Sequence, residues 1–117
     1  MLEHLTLETF KEKIMDFETI KDDWKFQGQL PAIIDFYADY CIPCKTIATI
    51  FEKLAIQYKD KINIYKIDIE DQQELASMFG IRSIPSVLFI PMEGEPQMTI
   101  GLLSDSKFKD LIDDVLL

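Results

Sequence analysis

The apolar positions of the chain change period several times from one end to the other, and each change marks an element. His4-Leu5-Thr6 reads as a short strand, after which Thr6 is placed to cap a helix over residues 7 to 15 with Leu7, Phe10, Ile14 and Met15 on its inner side. Asp16 to Pro31 is mostly polar and irregular, with Trp24 and Phe26 prominent among its few apolar residues, and reads as a connection, with room for a short strand or turn; Trp24 is read as a core anchor. Ala32-Ile33-Ile34-Asp35-Phe36-Tyr37 is nearly continuous in apolar residues, as expected of a strand covered on both faces. From Lys45 to Tyr58 the apolar spacing becomes three and four: Ile47, Ile50, Phe51, Leu54, Ala55 and Tyr58 form one stripe of a helix that starts at or near Cys41 and Cys44.

Ile62 to Ile69 is β-branched and aromatic enough for a second central strand. A short helix follows, with Asp71 expected as its cap, Glu74 placed for a capping box, Leu75, Met78 and Phe79 expected to face inward, and Gly80 at its end. Ser86–Ile90 and Gln97–Leu102 read as strands joined by a hairpin turn through Met92-Glu93-Gly94-Glu95. Ser104 then caps a last helix whose stripe is Phe108, Leu111, Ile112, Val115 and Leu116. The order β-α-β-α-β-α-β-β-α implies parallel pairing across the helical crossovers and an antiparallel hairpin. The expected fold class is therefore α/β, three layers with helices on both faces of a mixed sheet.

No repeat or linker divides the 117 residues, and 48% apolar content suffices for one packed core, so a single domain over 1–117 is expected. Twelve basic residues against 21 acidic ones leave a net charge of -9, which repels nucleic acid and anionic membrane surfaces alike. The first residues carry acids where a secretory signal would be basic, and no apolar stretch long enough to span a bilayer follows. A cytoplasmic location is the expectation.

Only two cysteines occur, at 41 and 44, too close to staple a loop; such a pair is chemistry or metal. They lie where a strand hands over to a helix, which aims the unpaired first-turn N–H groups and the positive dipole end at Cys41 and favours its thiolate. The three-residue step lets Cys44 close a disulfide with Cys41, and Pro43 is tolerated because a first-turn N–H has no helical partner to lose. A structural zinc site wants four ligands, and the chain adds only His4, so no metal is expected; His4 receives no catalytic role. Asp35 interrupts an apolar strand, where a carboxylate is costly unless paired, protonated or hydrated, and that cost suggests a use. Lys66 is a candidate partner on the next strand, although strand lysines often lie at solvated edges.

The stretch Asp35-Phe36-Tyr37-Ala38-Asp39-Tyr40-Cys41-Ile42-Pro43-Cys44-Lys45 resembles the active-site segment of the thioredoxin family, and Gly80-Ile81-Arg82-Ser83-Ile84-Pro85-Ser86 resembles that family's cis-proline loop. The resemblance covers nearly the whole chain, including Lys66 and Gly101, with the segment before Pro31 its least typical part. It implies the thioredoxin fold and a protein disulfide reductase, with Cys41 as nucleophile and Cys44 as resolving thiol. It also implies that Asp35 lies below Cys44 and helps remove its proton through water, and that a cis Ile84–Pro85 bond leaves the Ile84 backbone to pair with an extended substrate. Tyr40, Ile42, Pro43, Ile84, Pro85 and Leu102 are then the substrate-binding surround, an apolar patch of the kind that marks contact sites.

Further implications are a monomer serving electron transport and cell redox homeostasis. Its partners are disulfide-containing proteins and an NADPH-dependent thioredoxin reductase as electron donor, with no cofactor bound by this chain. The departures are Tyr40 for tryptophan, Ile42 and Ser83 for glycines and Thr49 for a helix-kinking proline; they bear on potential and partner choice. The alternatives are a thioredoxin-fold adaptor with little turnover, or a disulfide oxidase or isomerase, since the residues between the cysteines tune the potential.

Overall fold

A computed structural model describes residues 2–18 and 23–117, and places β2 (Ala32–Tyr37) at the centre of a five-stranded sheet. The strand order is β1-β3-β2-β4-β5, with β1 at Glu3–His4, β3 at Asn63–Asp68, β4 at Ser86–Ile90 and β5 at Gln97–Ile100. β1, β3 and β2 run parallel, while β4 is antiparallel to β2 and β5 antiparallel to β4. This is the expected mixed sheet: α2 (Ile42–Gln57) joins the parallel neighbours β2 and β3, whereas α1 (Leu7–Lys13) leads from β1 to β2 past the position that β3 later fills between them.

Alternation along β2 divides the core into two. Ile33 packs with Ile47, Phe51 and Leu54 of α2 and with Phe108 and Ile112, so α2 and α4 (Asp105–Leu111) cover one face. Ala32, Ile34 and Phe36 point the other way and pack with Phe10 and Ile14 of α1 and its end, and with Leu75 of α3 (Gln73–Met78). Trp24 and Phe26 are half-buried against this second cluster, as expected of an anchor in an irregular segment. Residues 19–22 of that segment lie outside the described residues, and among the described residues on either side of them, 16–18 and 23–31, no strand forms.

Several boundaries differ from the sequence reading for identifiable reasons. β1 ends at His4 because Thr6 is already committed as the N-cap of α1, in a reciprocal capping box with Thr9. The expected Asp71 cap of α3 does not form: Gln72 is the N-cap and makes no side-chain cap bond. The Asp68 carboxylate instead accepts the N–H groups of Glu70 and Asp71, and Asp71 is engaged by the Gln72 amide. Met78 is 43% exposed, contrary to expectation, because Leu75 and Phe79, four apart, fill the inward face of this short helix. β5 stops at Ile100 and not at Leu102, where Gly101 takes φ +92 and turns the chain. Ser104 caps α4 as expected, and the last turn, Ile112–Leu116, widens to a π-helix while keeping Ile112 and Leu116 buried.

Candidate active site

Chain direction gathers the site at one end of the sheet. β2 ends at Tyr37, the backbone turns with Cys41 N–H donating to Ala38 O at 3.1 Å, and α2 begins at Ile42. Cys41 is the N-cap residue with extended backbone angles, and its sulfur accepts the Cys44 N–H at 3.2 Å. A sulfur thus occupies the place usually taken by a capping oxygen, facing the positive end of a 16-residue helix. Cys41 and Cys44 form a disulfide with Cα atoms 5.3 Å apart, and both are buried. α2 runs without interruption past Thr49, whose hydroxyl donates back to Lys45 O at 3.3 Å where a proline would have removed a backbone donor.

Around the sulfurs the surface is apolar and open. Tyr40 is 69% and Ile42 76% exposed, and Pro43 is exposed in the first turn of α2. The Ile84–Pro85 bond is cis, with Pro85 buried and Ile84 half-buried. Ser86 pairs with Phe36 and with Ile100, so the register brings the Ile84–Pro85 corner and the 100–102 segment to the end of β2 from which the cysteine turn departs. The Gly101 N–H donates to Pro85 O at 2.8 Å and locks that corner to the segment carrying Leu102, itself 48% exposed.

Beneath the surface the chemistry is acid–base. Asp35 is 1% exposed, and neither carboxylate oxygen has a hydrogen-bond partner among the described residues. It points to the α2 side of the sheet, the side of Ile33, with Lys66 directly opposite on β3 and Val87 opposite on β4. Burial pushes its pKa up to about 7, and the Lys66 charge works against that rise. Lys66 is half-buried, not at a solvated edge, and with Tyr37, Cys44 and Ala48 it lines a crevice of about 170 Å³. Among the described residues, no group of three His, Cys, Asp or Glu side chains could hold a metal ion.

The sequence reading assigned no part to Tyr37, yet it stands beside Lys66. The Lys66 Nζ lies 5.4 Å from the centre of its ring, and its hydroxyl is 3.1 Å from His4 Nδ1. Burial and the nearby Asp68 and Asp39 charges push the Tyr37 phenol up to about 12, so it remains a neutral hydroxyl at physiological pH. The signal available was period two: Tyr37 lies two residues beyond Asp35 and so on the same face.

Comparison with known proteins gives a consistent result. The family model described as Thioredoxin matches residues 2–114. A thioredoxin of Borreliella burgdorferi is 44% identical over 110 residues, covering 94% of this chain and 93% of the relative. A thioredoxin of Haemophilus influenzae is 32% identical over 98 residues, covering 84% and 88% of the two chains. Among solved structures, chloroplastic thioredoxin z superposes with a TM-score of 0.79 at 23% identity over 96% of this chain and 91% of that one, a likeness of fold.

Proposed function

The chain belongs to the thioredoxin family and is a thiol–disulfide oxidoreductase acting on protein disulfides through a cysteine pair, and from that premise we propose a division of labour among its residues. The observation that carries the proposal is the Cys41–Cys44 disulfide at the head of α2, on the same side of the sheet as a buried, unpartnered carboxylate. In the reduced protein the Cys41 thiolate attacks one sulfur of a substrate disulfide, forming a mixed disulfide and releasing the other substrate sulfur as a thiolate. Cys44 gives its proton to the Asp35 carboxylate through water in the crevice, then attacks Cys41 Sγ, expelling the second substrate thiolate. Two electrons pass to the target and the Cys41–Cys44 bond closes.

Asp35 suits this role because a base whose pKa lies near 7 can both accept a proton and return it at neutral pH. Lys66 tunes that affinity by its charge. Tyr40, Ile42, Pro43, Ile84, Pro85 and Leu102 form the docking surround, in which an extended substrate segment pairs with the Ile84 backbone. The chain works as a single monomeric domain over 1–117 in the cytoplasm, binds no cofactor, and regains electrons from an NADPH-dependent thioredoxin reductase.

Cys41→Ser abolishes insulin-type disulfide reduction, whereas Cys44→Ser accumulates a mixed disulfide with substrate, both read on non-reducing gels. Limiting alkylation of the reduced protein modifies Cys41 first; preferential modification of Cys44 overturns the assignment. Equilibration of the couple against a glutathione buffer separates reductase from oxidase, since a reductase stays largely oxidised where glutathione is still mostly reduced.

A further inference from the structure

The sheet places four side chains in one arrangement that the disulfide chemistry does not itself require. His4 on β1, Lys66 on β3 and Asp35 on β2 are successive partners in one cross-sheet row, so they share a face. Tyr37, two residues beyond Asp35, crosses this row: its ring lies against the Lys66 ammonium and its hydroxyl reaches His4, beyond Lys66 on the edge strand. The His4 and Tyr37 rings meet edge to face, with centroids 6.0 Å apart. Lys66 acts on Asp35 through space, since the carboxylate oxygens accept no hydrogen bond from it.

We propose that Tyr37 is a positioning residue for the redox site: its ring holds the Lys66 ammonium within reach of the Asp35 carboxyl, and His4 fixes the tyrosine from the edge strand. The proposal rests on the acid–base reading of Asp35 and Lys66 given above. A lysine carries four rotatable bonds, and an ammonium half-exposed at the mouth of a crevice has water as its alternative partner. Asp35, at 1% exposure, can be reached directly only by desolvating that ammonium. A cation held against an aromatic face loses little hydration and keeps its position, and the Tyr37 hydroxyl anchored on His4 prevents the ring from following a departing lysine.

Charges of both signs surround the arrangement. Asp68, Asp39 and Asp71 act on Tyr37, Lys45 of α2 lines the same crevice, and β4 offers only Val87 opposite Asp35. Among the described residues, Lys66 is the cation whose charge opposes the burial of Asp35, so its position sets how much of that burial is offset.

The experiment is the titration of the Asp35 carboxyl carbon by NMR in the oxidised protein, with the pH profile of the resolving step as a second readout. In Tyr37→Leu the Asp35 midpoint rises by about half a pH unit, the size of an exposed cation–π contact, and near neutrality the resolving step slows about twofold. Tyr37→Phe and His4→Ala, which keep the ring or lie at the sheet edge, each give a smaller rise, and combining them adds nothing to either. In a Lys66→Met background, Tyr37→Leu produces no further shift. A fall in the midpoint, additive effects of Tyr37→Phe and His4→Ala, or an equal Tyr37→Leu shift without Lys66 overturns the proposal. Should Tyr37→Leu fail to fold, the two milder variants and their double mutant decide it alone. Asp35→Asn tests the underlying reading separately: an unaltered pH profile of the resolving step removes Asp35 from the chemistry, whereas the carboxyl titration still reports whether Tyr37 positions Lys66.

Discussion

Asp35 and Phe36 are neighbours in one strand, equally withdrawn from water, and they face opposite sides of the sheet. Phe36 belongs to the apolar cluster under α1 and α3, where its ring meets Phe79 at 5.5 Å. Asp35 lies on the face under α2, where the apolar layer of Ile33, Phe51 and Phe108 gives way, towards the cysteine end, to Asp35, Lys66, Tyr37 and His4. One face serves chiefly cohesion; the other gives up cohesion at one end to hold a titrating group. The difference teaches that stability and chemistry are separated by a single residue of alternation, and that removing the Phe36 ring and removing the Asp35 charge should act with opposite sign.

The largest expected effect is on the cohesive face. Phe36→Ala removes a fully buried ring and costs about 3–5 kcal/mol in urea unfolding, with little dependence on pH. Asp35→Asn is expected to stabilise, by an amount that depends on pH. The native Asp35 titrates near 7 and the unfolded one near the ordinary aspartate value, so the folded wild type binds the extra proton between these limits. Its stability therefore falls, relative to Asp35→Asn, as pH rises from about 4 to about 7 and is level beyond, reaching about 4 kcal/mol at most. Chemical unfolding of both proteins at pH 4, 6 and 8 checks this, and a gap that stays constant across the three breaks the contrast between the faces. The smallest effect belongs to neither face: Ser104→Ala removes the side-chain acceptor of the Lys107 N–H and costs about 1 kcal/mol, visible as a small drop in Tm.

Much of this arrangement was legible along the chain because it is local. A continuous apolar run gave β2 its limits, the three-and-four spacing gave α2 its buried stripe, and Thr6 and Ser104 act as the caps their positions suggested. The α3 cap was misread because Asp68, in the preceding strand, was free to take the N–H groups of the turn, a competition that spacing alone does not rank. Met78 was misread because a six-residue helix has room for only a narrow inward face.

By itself, then, the sequence determined the order of elements, the placement of Cys41 and Cys44 at a strand-to-helix junction and the anomaly of Asp35 in an apolar strand. Each of these depends on neighbours a few residues away, where periodicity and capping chemistry act. Only the tertiary structure decided that β1 lies beside β3 and β3 beside β2, and so that His4, Lys66 and Asp35 form one row roofed by Tyr37. Residues 4, 35 and 66 are separated by whole helices, and no local pattern encodes the strand order that makes them neighbours. The reason is physical: side-chain direction repeats every two residues along a strand, but contact across strands is fixed by pairing register, which long-range packing of both faces settles together.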